Sequence, residues 1–372
     1  MSLVIARSRQ RDTLTRREMI GLVGVPASTA VAAILGGRRC GLAAARNREA
    51  LAQTTPAPTG RAIIRTLMGD IEASALLGGP ILFHEHLSFH PQGTTEHFTD
   101  DVEMMVGEAQ AAKQDGIACI VDASHADGSR SLEALKRITT GSGLPVVASG
   151  GYYLQRSYPP EIAAKSADQI ADDLGKEATA LGFGAFGEIG QQFGTLTVDE
   201  RKVFQAVGKA HVRTGLPIFT HNPYNRRLTA PPIPRDAALR QLDVLESVGV
   251  SPERVAIGHM CCLDDPKAEI AIALARRGVF VGFDRVTLDA FMPDGDRVTM
   301  ALKLIEAGHA NQLLLSSDFS NVKALRKNGG PGLAQTVTVF GPMLVKAGLP
   351  EATLRHILVD NPRRFLAFVP KT

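Results

Sequence analysis

Residues 81–89 read ILFHEHLSF, an apolar run that carries His84 and His86 with Glu85 between them. Side chains two apart on a strand point to the same face, so the two imidazoles face together and Glu85 faces away. Runs of the same kind recur along the chain: IACIVDAS, PVVASGGYY, FGAFGEIG, PIFTHN, VAIGHM, VFVGFD and LLLSSD. They follow one another at roughly 30 to 40 residues, the spacing of strand–helix units. The stretches between them carry helix signals. VDERKVFQAVGKAHVRTG opens on acids and closes on Gly215 after basic residues, while DAALRQLDVLESVG and DDPKAEIAIALARRG also close on glycine. These units predict a (β/α)8 TIM barrel as a single catalytic domain, with a doubly wound open sheet as the alternative.

Polar side chains stand at the C-terminal ends of these runs: His84 and His86 in the first, Glu188 in the fourth, His221 in the fifth, His259 in the sixth and Asp318 in the eighth. The catalytic face of such a barrel lies at the C-terminal strand ends, so all of them converge there. Singly, each has a structural explanation: a hydrogen-bonded core histidine, a glutamate paired with an arginine, an aspartate capping the next helix. Jointly, imidazoles and carboxylates on one barrel mouth form a donor set suited to zinc, manganese, cobalt or iron. Without an ion, so many buried polar groups would be costly to satisfy.

The chain has 372 residues, 44% hydrophobic and 21% charged, enough for one barrel and an extra segment. Net charge is +3, with much of the excess in the first fifty residues, and no basic patch interleaves with aromatics, which argues against nucleic acid. Cys40, Cys119, Cys261 and Cys262 imply no disulfide framework. The opening reads as an address. Arginines precede a mildly apolar stretch from Met19 to Leu35, Thr15-Arg16-Arg17-Glu18-Met19-Ile20 resembles a twin-arginine export motif, and Ala50-Leu51-Ala52 reads as a cleavage site. Gly21, Gly24 and Pro26 interrupt the apolar stretch, which is short for a membrane span. Residues 1–52 are thus expected to be a signal peptide that engages the twin-arginine export machinery. Residues 53–372 are expected to form the mature barrel, beginning near Gln53, periplasmic or secreted, with no membrane attachment.

From TLMGDIEASALLGGPILFHEHL at Thr66 to DNPRRFL near the end, the chain resembles the phosphotriesterase family of the amidohydrolase superfamily, through HEH, FTHN, IGHM, GFDR and SSDFS in the family's order and spacing. The resemblance implies a two-metal hydrolase of ester bonds and, as in many members, a homodimer. It implies that His84, His86 and Asp318 hold a more buried divalent ion, that His221 and His259 hold a more exposed one, and that a fourth-strand carboxylate bridges them. Many members use a carboxylated lysine there; this chain has FGEIG, which makes Glu188 the bridge. The glutamate arm is shorter, so strand or metals must shift. A hydroxide shared by the two ions would be the nucleophile, with Asp318 as general base and then acid. Glu85, facing away, is read as structural.

The resemblance leaves two activities open, lactone or carboxylic ester hydrolysis and phosphotriester hydrolysis. Tyr153 matches a tyrosine of the family's lactonases where phosphotriesterases carry tryptophan, and the chain has no tryptophan. Arg285 also resembles the lactonases; phosphotriesterases have a histidine shuttle there, and its acidic partner is missing, since Met260, Cys261 and Cys262 follow His259. Asp264 is expected to cap or brace the next helix, and Cys261 and Cys262 to be buried thiols. Lys323, Arg326 and Lys327 lie where barrels often bind phosphate, although a solvated basic loop is the simpler reading. Specificity is expected in the loops Val286 to Arg297 and Phe319 to Leu333. The other classes weighed are a barrel that binds without catalysis and a deaminase or amidase of the wider superfamily.

Overall fold

The computed structural model describes residues 61–90, 99–225 and 233–371. Residues 1–52, expected as a signal peptide, and Cys40 with them, lie outside the described residues. Two short strands, β1 (Ile63–Thr66) and β2 (Gly69–Glu72), form an antiparallel hairpin. It docks by backbone hydrogen bonds between Ile63 and Phe368 and from Leu67 N to Val146 O at 2.9 Å. Eight strands follow: β3 (Ile81–Glu85), β4 (Cys119–Asp122), β5 (Val146–Gly150), β6 (Ala185–Gly190), β7 (Ile218–His221), β8 (Val255–Ile257), β9 (Phe280–Phe283) and β10 (Leu313–Leu315). They pair in parallel in chain order from β3 to β10. Backbone bonds from Asp318 N to His84 O and from His86 N to Phe319 O, both 3.1 Å, draw the two edges together. The open-sheet alternative is excluded, and the fold is a (β/α)8 barrel.

Alternation along the strands sorts two apolar layers. Ile81, Phe83, Val121, Phe219, Phe280 and Leu314 fill the barrel interior, where Phe83 meets Phe219 and Phe365 edge-to-face with ring centroids 6.4 Å apart. Leu82, Ile120, Val146, Phe186, Ile218 and Val281 face outward into the layer under the helices. The interior is thus a packed plug, not a pore, and the polar mouth rests on it.

The helices are α1 (Val102–Gln114), α2 (Leu132–Ser142), α3 (Glu161–Ala164), α4 (Ala167–Leu181), α5 (Val198–Thr214), α6 (Ala237–Glu246), α7 (Glu269–Arg276) and α8 (Asp294–Glu306), followed by short turns α9 (Gly341–Lys346), α10 (Glu351–Arg355) and α11 (Asn361–Leu366). Helix α5 starts on a capping box between Thr197 and Glu200 and stops at Gly215, whose φ of +81° suits a residue without a side chain. Such an N-cap contributes roughly 1 kcal/mol. Helix α7 begins at Glu269, later than the sequence pattern suggests. Asp265 explains the delay: its carboxylate accepts from Ile270 N at 2.8 Å and from Arg235 at 2.7 Å, with Ala268 left-handed before the first turn. Asp265, next to the Asp264 expected to brace this helix, thus braces its start. Cys119, Cys261 and Cys262 are free, buried thiols. Among the described residues no helix is long and apolar enough to cross a membrane.

Candidate metal centre

Two β-bulges aim the ligands. Strict alternation in β3 would send His84 outward with Leu82, since Ile81 and Phe83 point inward. A register shift between Leu82 and Glu85 restarts the alternation, and His84 and His86 both enter the mouth. Strand β6 repeats the device. A shift between Phe186 and Ile189 turns Glu188 inward although Phe186 and Ile189 face the helices. Bulges next to active sites serve this purpose. His259 and Asp318 lie just beyond β8 and β10 with left-handed backbones, φ +58° and +49°, which carry their side chains back over the mouth.

The imidazoles are held by their far nitrogens. His84 Nδ1 donates to Asp284 at 2.9 Å, and His259 Nδ1 donates to the same carboxylate at 3.0 Å. His86 Nδ1 donates to Ser124 Oγ at 3.0 Å, whose hydroxyl turns to Asp122. With the protons on Nδ1, three Nε2 lone pairs point into the mouth, the tautomer a metal-binding histidine requires. His84 Nε2 is buried and has no hydrogen-bond partner. His221 enters by its Nδ1, 2.8 Å from His259 Nε2.

Glu188 lies at the centre. Its Oε2 is 2.9 Å from His221 Nδ1 and 3.3 Å from both His259 Nε2 and His84 Nε2; its Oε1 is 3.5 Å from His86 Nε2. Asp318 closes the other side, with Oδ1 2.9 Å from His86 Nε2 and Oδ2 accepting from Arg285 Nε at 2.7 Å. Burial raises the Asp318 carboxyl, but Arg285 and His86 outweigh it and hold the group well below the usual carboxylate range. Burial pushes His221 down to about 4 against the pull of Glu188. Of three clusters of converging donors, two share Glu188: His84, His86, Glu188 and Asp318, and Glu188, His221 and His259; the third joins His84 and His259 through Asp284, which holds them by their Nδ1 atoms. Converging lone pairs, an orphaned buried nitrogen and a shared carboxylate fit divalent cations.

Glu85 faces away from this centre, and its carboxylate accepts from Ser316 Oγ, Ser317 N, Ser317 Oγ and Phe319 N at 2.7–3.0 Å. It therefore anchors the turn that presents Asp318. Tyr153 lies in the loop after β5, its hydroxyl 3.3 Å from His221 Nδ1. The mouth opens into a cavity of about 1140 Å³, lined by His86, Tyr153, Glu188, Arg285 and Asp318 below and by Phe89, Met104, Leu288, Phe291 and Leu325 above. Lys323 and Lys327 line its rim. Arg326 does not line it and is tied to Asp115 and, through its backbone, to Glu108.

Residues 62–366 match the phosphotriesterase family. The chain belongs to that family. It is 28% identical to the aryldialkylphosphatase of Saccharolobus solfataricus over 78% of this chain and 95% of that protein. It is 26% identical to human N-acetyltaurine hydrolase over 72% of this chain and 78% of that protein. The solved lactonase Lmo2620 of Listeria monocytogenes superposes with a TM-score of 0.73 at 25% identity, over 82% of this chain and 99% of that one. A phosphotriester, an amide and a lactone thus appear in the names of its relatives, and family membership alone does not choose among them.

Three residues of this phosphotriesterase-family site escaped the sequence reading. Asp284 ends the seventh run, VFVGFD, in the same position as the ligands, so its signal was present; only its neighbour Arg285 was weighed. Asp122 and Ser124 likewise end the second run, IACIVDAS. What no pattern showed is that one aspartate would serve two histidines, together with His259 N at 2.7 Å.

Proposed function

We propose that the protein is a binuclear metal-dependent hydrolase acting on lactones or related carboxylic esters. His84, His86 and Asp318 would hold one divalent ion, His221 and His259 the other, and Glu188 both; zinc, manganese, cobalt and iron suit the donor set. When bound, such ions supply the Lewis acidity that activates water and polarises the scissile group. The protein's own residues do the rest. Asp318 takes a proton from the attacking water, and Arg285 beside it keeps that proton labile, so the carboxyl returns it readily to the leaving oxygen. Burial and nearby Glu188 raise the Tyr153 phenol well above its ordinary pKa, so it remains an O–H donor for the scissile group.

The observation that carries this reading is the Arg285–Asp318 contact at 2.7 Å. A guanidinium does not give up its proton, so no relay leads from Asp318 through Arg285 to solvent. A lactone needs none, because its alkoxide stays tethered beside Asp318 when the ring opens. The metal-loaded protein should therefore turn over a lactone with kcat/KM orders of magnitude above an aryl phosphotriester, with an aryl carboxylic ester and N-acetyltaurine in the same panel. If the phosphotriester is fastest, the protein is an aryldialkylphosphatase and the lactone assignment falls. If nothing is hydrolysed, a non-catalytic metal-binding barrel gains. Lys323 and Lys327 share the cavity lining with Asp100 and Asp101, so a sugar lactone with and without phosphate in the same panel tests whether the basic loop selects an anionic group: a faster phosphorylated lactone would show that it does, equal rates that the loop is solvated.

The arginine pair and the small-residue site at Ala50-Leu51-Ala52 support export as a folded protein. The mature chain should be recovered from the periplasm or medium with an N-terminus near Gln53, and recovery of the uncleaved chain from the cytoplasm would overturn that.

A further inference from the structure

We propose that His125 is a positioning residue for the metal centre, setting Glu188 against its histidines by holding the carbonyl of Gly187. His125 follows Ser124 in the loop between β4 and α2 and is buried. Its Nε2 donates to Gly187 O at 2.7 Å, at the place where β6 slips its register. Gly187 admits no side chain: its φ is +148°, and a Cβ would lie 2.4 Å from the Phe219 ring. The peptide that carries Glu188 is thus pressed on Phe219 from one side and held by His125 from another.

Glu188 has little slack. One of its oxygens serves three imidazoles at 2.9–3.3 Å, so a displacement of its backbone passes directly to the carboxylate. The same loop reaches Tyr153. His125 Nδ1 faces Asp127 Oδ1 at 3.7 Å, and Asp127 Oδ2 accepts from Tyr153 N at 3.2 Å and from Ser157 Oγ at 2.6 Å. Burial lowers the His125 pKa, consistent with a neutral ring whose one proton is on Nε2. His125 therefore holds the backbone of Glu188, and Asp127 in the same loop holds that of Tyr153, without either touching the reacting atoms.

The inference rests on Glu188 as a metal ligand, and the experiment separates the two. His125→Leu removes the donor and keeps the bulk, while His125→Gln keeps an amide donor. Each is checked for fold by circular dichroism, for zinc retention by chelator competition, and for kcat and KM on the best ester. His125→Leu should hold zinc about 10- to 100-fold more weakly, the usual effect of losing an outer hydrogen bond at a metal site. Its kcat should fall while KM stays within about threefold of the parent, as for a group acting on geometry rather than substrate binding. His125→Gln should recover most of both. The proposal is overturned if His125→Leu retains zinc and kcat, or if His125→Gln falls as far as His125→Leu. Should His125→Leu not fold, His125→Asn replaces it under the same criteria, its amide being too short to reach Gly187 O. Glu188→Ala alongside distinguishes the failures: zinc retained there removes the ligand assignment itself, whereas zinc lost there but kept in His125→Leu removes only the positioning role.

Discussion

Glu188→Ala should leave a folded barrel that no longer retains its metals. Glu188 is the carboxylate common to two of the donor clusters, with oxygens 2.9–3.5 Å from all four histidines. Removing it leaves imidazoles facing one another around a cavity with no central anion. Two cations there would repel at full strength, with only Asp318 to offset them. The barrel should survive, because the interior beneath the mouth is packed by Phe83, Phe219 and Phe365 independently of the carboxylate. Metal per chain, measured by plasma mass spectrometry after dialysis against a mild chelator, should fall below one ion. Activity should drop by about 10³-fold or more, ~4 kcal/mol of transition-state stabilisation. A variant that kept two ions and full rate would show that the bridge lies elsewhere.

Much of this site was legible in the sequence, for a definite reason. A barrel places every C-terminal strand end on one face, so His84, His86, Glu188, His221, His259 and Asp318 could be brought together without knowing any distance. The orientation of Glu85 was legible too, because residues between two same-facing neighbours point away. The phase of β3 was not. Alternation counted from Ile81 would have turned both histidines toward the helices, and only the irregularity between Leu82 and Glu85 corrects it. A bulge leaves no mark in an apolar run; it follows from what the partner strands allow. The hairpin β1–β2 was hidden because its strands, IIRT and GDIE, are largely exposed or half-buried and lack the continuous apolar run that marks the barrel strands. Asp284, Ser124 and His125 were visible as polar residues near strand ends, but their partners are 25 to 200 positions away, and such pairings are a property of the fold. Lys323 and Lys327 reach the rim and Arg326 does not, a distinction that depends on short turns between Val322 and Asn328.

Asp318→Asn should separate metal binding from proton transfer. The backbone there has φ +49°, a conformation asparagine tolerates as readily as aspartate, so the variant should fold with Tm little changed. The amide oxygen can still accept from Arg285 Nε, and His86 remains fixed from behind by Ser124 at 3.0 Å. Metal should therefore be retained. What is lost is a group that can take up and release a proton. General acid–base catalysis is worth about 10²- to 10⁴-fold, and kcat should fall by that order with KM changed less than about threefold. The leaving group gives the decisive contrast. An aliphatic lactone must have its alkoxide protonated, so its hydrolysis should suffer the whole loss. An aryl ester expels a phenolate that needs no proton, so it should be spared the acid half of the effect and fall less. Equal losses on both substrates would confine Asp318 to activating water, and loss of metal would show that its charge, and not only its oxygen, is needed to hold the ion.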